Sequence, residues 1–329
     1  QRCQGQDPLW AEGEYRQKDT KGKEYTGTVL EHLILQHLTA FWEVGEHNHI
    51  RLRNADWNDA LDMASHRGES VAFSNAYAGN LIGLAELIEE QQHRGYEEFQ
   101  FLQEMEILFT EDMALYEDPD GKQKLLEEYL GKCMHHVSGN SIRVDAGELA
   151  DNLRKKGQWM QEHIRRTEWI EEDEEKGWFN GYYDDHGAAL EGIRGGRAHM
   201  MLTGQVFSLM NATATKEQAQ KIIRSAEGHL FDASCGGYRL NTDFGEIKTD
   251  MGRMFGFAYG EKENGAVFSH MAVMYANALY TRGFAREGYK ALQALYRQAM
   301  DPAKSRIYPG IPEYFGHGGS GLYHYLTGA

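Results

Sequence analysis

Apolar side chains recur along most of the chain at every third or fourth position. Between Thr28 and Trp42, the residues Val29, Leu30, Leu33, Ile34, Leu38, Phe41 and Trp42 fall on one face of a 3.6-residue repeat, which predicts an amphipathic helix. The stripe Val71, Tyr77, Ala78, Leu81, Leu84, Leu87 and Ile88 predicts a second helix over 69–90. The same spacing predicts helices over 98–111, 122–135, 146–169, 204–211, 216–230, 268–282 and 287–300. Segments 178–185 and 237–243 read as short extended pieces or loops. Strand and helix patterns do not alternate regularly, which argues against a doubly wound sheet. No fixed-period repeat of the kind an α-solenoid shows is visible. Helices joined by irregular loops then point to a closed toroid of helical hairpins, with the loops gathered at one end around a pocket.

Composition agrees with a helical, folded chain. Only 5 of the 329 residues are proline, three of them at 302, 309 and 312, so the region before Pro302 has few helix breakers. Glycine is abundant, at 37 residues, and clusters between the apolar-periodic segments, as structured loops require. An apolar content of 41% is too high for a disordered chain. The longest apolar-rich stretch, Val29–Trp42, is interrupted by Glu31, His32, Gln36 and His37, so no membrane span is expected. The net charge of −16 disfavours binding to nucleic acid, whose phosphates demand a basic surface. A small anion is a different matter, because a few local donors can hold it within an acidic protein. The 3 cysteines, Cys3, Cys133 and Cys235, are far apart and odd in number; they read as reduced thiols of a cytoplasmic protein, without a disulfide scaffold or a zinc site. The run Ile170–Lys176 reads as a solvated turn, and His135-His136 as surface or packing residues.

Three segments carry candidate chemistry. The first, Arg53-Asn-Ala-Asp-Trp-Asn-Asp-Ala-Leu-Asp62, sets Asp56, Asp59 and Asp62 around Trp57 between two predicted helices. An aromatic face packs on the C–H face of a pyranose, and a carboxylic acid whose pKa is raised by burial can protonate a glycosidic oxygen. The same residues also read as an Asp/Asn-rich helix cap with Trp57 in the core. The second, Glu261-Lys-Glu-Asn-Gly-Ala-Val-Phe-Ser-His270, puts His270 at the start of an apolar helix, where it can donate to an anion or cap the helix. The third runs from Tyr308 to Ala329; its glycines open the backbone to a ligand, Thr327 adds a hydroxyl, and such a loop can cradle phosphate or lie open on the surface. No Walker A pattern, His-Glu-x-x-His or Gly-x-Ser-x-Gly occurs.

Taken together, these segments resemble the cellobiose phosphorylase-like inverting glycoside phosphorylases, glycoside hydrolase family 94. Ala55-Asp-Trp-Asn-Asp59 is similar to that family's Asp-Trp-Asn-Asp motif, and Arg67-Gly-Glu-Ser-Val71 follows at the expected distance. Lys262-Glu-Asn-Gly265 with Phe268-Ser-His270 resembles its Glu-Asn-Gly…His segment, and Tyr325-Leu-Thr-Gly-Ala329 its terminal Leu-Thr-Gly loop. The resemblance runs from about residue 25 to the end and is weakest around 95–175. It implies an (α/α)6 barrel over 25–329, preceded by an extension or barrel remnant over 1–24. It further implies phosphorolysis of a β-glucosidic bond to α-glucose 1-phosphate. The general acid falls on Asp59 and the sugar-site tryptophan on Trp57, with Asp56 and Glu263 as further sugar-site candidates. Phosphate falls on His270, Thr327 and Gly328. The residue set suits the chemistry: an inverting hydrolase needs a base to activate water, whereas phosphate is already an anionic nucleophile. A protonated His270 would also offset phosphate charge.

The expected partners are a β-linked gluco-disaccharide or oligosaccharide and inorganic phosphate as co-substrate; no other cofactor and no metal is expected. Members of the family are longer, with a β-sandwich domain, a linker and the first part of the barrel upstream, and that upstream part supplies an arginine and an aspartate to the sugar site. Those residues have no counterpart here, and the N-terminus lacks both an initiator Met and an apolar signal core. The expectation is therefore a fragment or processed form, a site completed by a second chain, or a protein without turnover. A homodimer is the assembly the family implies. Two alternatives share the motifs: a cyclic β-glucan synthase-like module acting on chain length, and a carbohydrate-binding remnant.

Overall fold

The computed structural model describes residues 16–305, 307 and 310–316. The chain divides into two compact units, residues 1–50 with 80–159 and residues 51–79 with 160–329. Both are built mainly of helices joined by short strand pairs.

In the first unit, α1 (Val29–Trp42) starts where the Thr28 hydroxyl accepts the Glu31 amide, which satisfies one of the amides left open at a helix start. It buries Ile34, Leu38, Phe41 and Trp42 and packs against α4 (Pro119–Cys133), whose first residue is a proline. The later part of α2 (Val71–His93), the short α3 (Met113–Tyr116) and the first part of α5 (Ala146–Thr167) complete the unit's helices. The helix predicted over 98–111 is replaced by a strand, Glu98–Leu102, and a 3-10 segment, Gln103–Phe109. The reason is a partner distant in sequence: Glu98–Leu102 pairs antiparallel with Ser141–Asp145, Phe99 opposite Val144 and Phe101 opposite Ile142. The chain then tightens so that Met105 and Leu108, three residues apart, both turn inward.

Two lysines lie fully buried in this unit, within an aromatic box. Lys122 Nζ donates to Asn48 Oδ1 at 2.8 Å and stands 4.3 Å and 4.0 Å over the Phe41 and Trp159 rings. Lys156 Nζ donates to Asn152 Oδ1 at 2.7 Å and to the Thr110 carbonyl at 2.9 Å, near the rings of Trp42 and Tyr116. Burial drives both ammonium groups towards neutrality, Lys156 down to about 7.

In the second unit, α6 (Leu202–Met210) is buried on every side from Leu202 to Leu209 and packs against α8 (Ser269–Thr281), which in turn packs on α9 (Ala285–Ala299). The remaining helix, α7 (Lys216–His229), begins with a reciprocal cap between Thr215 and Gln218. One apolar cluster gathers Trp178, Phe179, Val206, Ile222, Met271, Tyr275 and Leu279. A second gathers Leu61, Tyr182, Met201, Phe207, Met251, Met254 and Phe255. Trp57, half-buried, packs against both. The charge run 170–176 forms the turn between strands Trp169–Glu171 and Gly177–Phe179, with Asp173 Oδ1 accepting the Glu175 and Lys176 amides at 2.8 Å. Among the described residues, no helix is long and apolar enough to cross a membrane, and neither Cys133 nor Cys235 forms a disulfide.

Candidate active site

The site lies in the second unit, where the segment Asp56–Asp62 docks on the chain at Met251–Gly256. The Met254 amide donates to the Ala60 carbonyl at 3.0 Å and the Met63 amide to the Met251 carbonyl at 3.2 Å. Gly252 permits this approach, since a Cβ there would lie 2.1 Å from the Ala60 carbonyl oxygen. Arg253 opens a short 3-10 turn beside it, Arg253–Gly256. Its amide donates to Asp62 Oδ1 at 3.1 Å, its Nη1 reaches Asp62 Oδ2 at 2.5 Å, and its Nη2 lies 3.5 Å from Asp59 Oδ2.

The three aspartates of the segment thus have three environments. Asp62 is ion-paired, and the Arg253 amide and guanidinium outweigh burial to hold its carboxyl below the usual range. The Asp59 side chain is 77% exposed to solvent. Asp56 turns its carboxylate inward: Oδ1 accepts the Asn58 amide at 2.9 Å and Oδ2 the Ser70 hydroxyl at 2.8 Å. Burial raises Asp56 to about 6, against the opposing pull of these donors. The Tyr182 hydroxyl is near enough for the two groups to shift each other's ionisation. The sequence placed Asp56 at the sugar; the geometry turns its carboxylate to the base of the loop, and Asp59 is the carboxylate left facing solvent.

The segment Glu261–His270 comes up on the other side. The Gly260 amide donates to the Asn264 carbonyl at 2.7 Å, and Asn264 is held in turn by Asn241 Nδ2 at 3.0 Å. Gly265 has φ +84°, and a Cβ there would meet the Tyr259 ring at 2.4 Å, so both torsion and space require glycine. The turn half-buries Glu263, whose carboxyl is raised by burial and by the charge of Asp59, with Arg253 pulling the other way. Asp59, Glu263 and Arg253 therefore belong to one charge cluster. Strand Val267–Phe268 pairs with Tyr314–Phe315 and delivers the chain into α8, on whose second residue His270 is exposed. The Trp57 indole N–H points at His270 Nδ1 across 3.4 Å, with the rings 5.7 Å apart. A neutral imidazole accepting at Nδ1 carries its proton on Nε2, from which it can donate to an anion.

Asp59, Trp57, Glu263 and His270 are thus brought together by segments some two hundred residues apart, while Thr327 and Gly328 lie outside the described residues. Sequence reasoning missed Arg253: an arginine within Met251-Gly-Arg-Met-Phe255 carries no motif, and only the docking of the Asp56–Asp62 segment gives it a role. Ser70, within the family-like segment Arg67–Val71, anchors Asp56. Among the described residues, no group of three or more His, Cys, Asp or Glu side chains is arranged to hold a metal ion.

Comparison with known proteins bears on the family of the chain. The chain is 24% identical over 249 residues to a solabiose phosphorylase of Paenibacillus borealis, covering 75% of this chain and 25% of that protein. It is 28% identical over 123 residues to a cellobionic acid phosphorylase of Neurospora crassa, covering 37% of this chain and 14% of that protein. The chain thus spans about a quarter of the first relative's length and less of the second's. Residues 141–307, which include Glu263 and His270, match the family profile of the glycosyl hydrolase 94 superfamily, catalytic domain. On that match and the agreement of its motifs, the chain belongs to the glycosyl hydrolase 94 superfamily.

Proposed function

We propose that the chain carries the acid and phosphate sides of an inverting glycoside phosphorylase, which cleaves a β-glucosidic bond of a disaccharide or β-oligoglucan and releases α-glucose 1-phosphate. The observation that carries this reading is the approach of Trp57 to His270 beside the Asp59–Glu263–Arg253 cluster. Trp57 offers an apolar plate to a sugar ring. Asp59 gives its proton to the leaving glycosidic oxygen, while a phosphate oxygen attacks the anomeric carbon from the opposite face. His270 donates to that phosphate at the positive end of α8, and Thr327 and Gly328 complete the phosphate site. Glu263 binds sugar hydroxyls, and Asp56 acts at the sugar through the loop it anchors. Both relatives are phosphorylases by name, which supports phosphate as the nucleophile.

In this reading, residues 25–329 form part of an (α/α)6 barrel in a cytoplasmic protein. The assembly in this reading is the homodimer that the family implies. The test is sugar 1-phosphate release from β-linked gluco-disaccharides and β-1,2-, β-1,3- and β-1,4-oligoglucans with inorganic phosphate. Release of α-glucose 1-phosphate supports the reading; binding of sugar and phosphate without release, in a folded protein, identifies a binding remnant instead. Asp59→Asn is expected to abolish release while preserving phosphate binding, and normal turnover by that variant removes Asp59 as the acid. His270→Ala is expected to raise the phosphate requirement, and an unchanged phosphate dependence removes His270 from the site.

A further inference from the structure

Asp62 has no task in the phosphorolysis proposed above, yet it is the third carboxylate of the loop that carries the proposed acid. One arginine links the two. Arg253 gives Asp62 two bonds, its amide to Oδ1 at 3.1 Å and its Nη1 to Oδ2 at 2.5 Å. Its other terminal nitrogen, Nη2, stops 3.5 Å from Asp59 Oδ2. A charge-assisted bond between a guanidinium and a carboxylate measures about 2.7–2.9 Å, so the bond goes to Asp62 and Asp59 stays just outside it. The Asp62 side chain is 27% exposed against 77% for Asp59, so the Asp62 pair is also the less screened of the two. The loop does not need Asp62 in order to dock. The Met254 amide on the Ala60 carbonyl, the Met63 amide on the Met251 carbonyl and the space left at Gly252 hold it through the backbone. What Asp62 adds is a hold on the guanidinium.

A general acid works only while it holds its proton, and a guanidinium bonded to it favours the carboxylate instead. The other charges of the cluster are Glu263, coupled to both Asp59 and Arg253, and Lys262, which acts on Glu263. Glu263, a like charge, favours the proton on Asp59. Asp56 is turned inward to Ser70, and His270 meets Trp57. Arg253 is thus the cation of this cluster that stands beside the acid. We infer that Asp62 is a positioning residue for the acid: by binding Arg253 at two points it keeps the guanidinium from closing on Asp59, and so leaves Asp59 able to carry a proton. This rests on the phosphorylase reading and on Asp59 as its acid. The task requires the carboxylate and not only its shape. An asparagine at 62 still accepts the Arg253 amide through Oδ1, but it presents N–H groups where Oδ2 accepts Nη1. The released guanidinium then turns to Asp59.

The test follows sugar 1-phosphate release by the full-length protein at saturating inorganic phosphate. It reads kcat/KM for the sugar between about pH 5 and pH 9 for wild type, Asp62→Asn, Arg253→Gln and the double variant. The alkaline limb of this profile reports loss of the essential acid's proton in the free enzyme. The titration of phosphate is common to all four proteins and drops out of the comparison. Asp62→Asn is expected to move the limb down by about half a pH unit or more, a loss of about threefold or more on the limb, as suits a partly exposed ion pair. Arg253→Gln is expected to move it up. The double variant is expected to recover activity relative to Asp62→Asn, because the cation that Asp62 restrains is gone. A merely structural role predicts the reverse: losing both partners lowers activity further and leaves the limb in place. An unmoved limb in Asp62→Asn, or a double variant no better than Asp62→Asn, therefore overturns the role. If Asp62→Asn does not fold, the limb of Arg253→Gln decides: an upward shift supports the role, and any other result overturns it. A wild-type protein that releases no sugar phosphate overturns the phosphorylase reading, normal turnover by Asp59→Asn overturns its acid, and either removes the role of Asp62 as well. An active wild type that needs Asp59, with no shift of the limb in the variants, overturns the role of Asp62 alone.

Discussion

Asp56→Asn should make the protein more stable at neutral pH, although it removes a residue at the base of the candidate site. The substitution keeps the shape of the side chain, and its Oδ1 can still accept the Asn58 amide. What it removes is the charge that burial penalises. Asp56 rises from its ordinary 3.8 to about 6 in the folded protein. A carboxyl raised in this way helps folding fully below the unfolded value, and that help is lost as pH rises through the folded value. With about 1.4 kcal/mol per pH unit of separation, the cost to wild type reaches about 3 kcal/mol at pH 8 and is about half of that at pH 5. Urea unfolding of both proteins at pH 5, 6, 7 and 8, followed by tryptophan fluorescence, gives the difference directly, and the other titrating groups cancel in the subtraction. The variant is expected to gain on wild type by about 1 kcal/mol across that range. A difference that does not change with pH, or one in which wild type gains as pH rises, would refute the claim that Asp56 carries a desolvated charge.

Two further substitutions probe the turn and the first unit. Gly265→Ala places a methyl group 2.4 Å from the Tyr259 ring at φ +84°, and Tyr259 is tethered to the Asn241 carbonyl at 3.2 Å; strain and overpacking together are expected to cost about 2–4 kcal/mol in denaturant unfolding, and a cost under about 0.5 kcal/mol contradicts the packing described. Lys156, lowered from 10.5 to about 7, has the opposite pH sense: its share of stability is intact above the unfolded value and is lost as pH falls towards 7. Lys156→Met is therefore expected to gain on wild type by roughly 3–4 kcal/mol between pH 10 and pH 7, and parallel stability curves would show that the ammonium is well solvated.

Most helices were legible because each buries one continuous stripe. α1, α5 and α7 lie within about two residues of the pattern that predicts them, and Thr28 and Thr215 mark two of the starts. The failure at 98–111 has a clear cause. Phe99 and Phe101 alternate while Leu102, Met105 and Leu108 are spaced by threes, so an apolar run passes for a helix unless its strand partner, 141–145, is known. In the candidate site, Asp59, Trp57 and His270 stand out in the sequence because each has chemistry of its own to offer. The site was not legible where a residue acts by holding another. Ser70 and Arg253 have ordinary neighbours in sequence and gain their contacts from carboxylates brought to them by the fold. The same holds for Asp56, whose inward turn depends on Ser70.

The contact between Trp57 and His270 joins residues 213 positions apart. At a synthesis rate of about 5–20 residues per second, the Asp56–Asp62 segment leaves the ribosome roughly 10–40 seconds before His270 exists to meet it. For most of that interval the segment has neither Gly252 nor Arg253 to dock on. Its local anchor, the Ser70 hydroxyl only 14 residues away, is synthesised within seconds and can hold Asp56 through the wait. The nascent chain can therefore hold Asp56 in a locally anchored loop long before His270, its distant neighbour in the candidate site, exists.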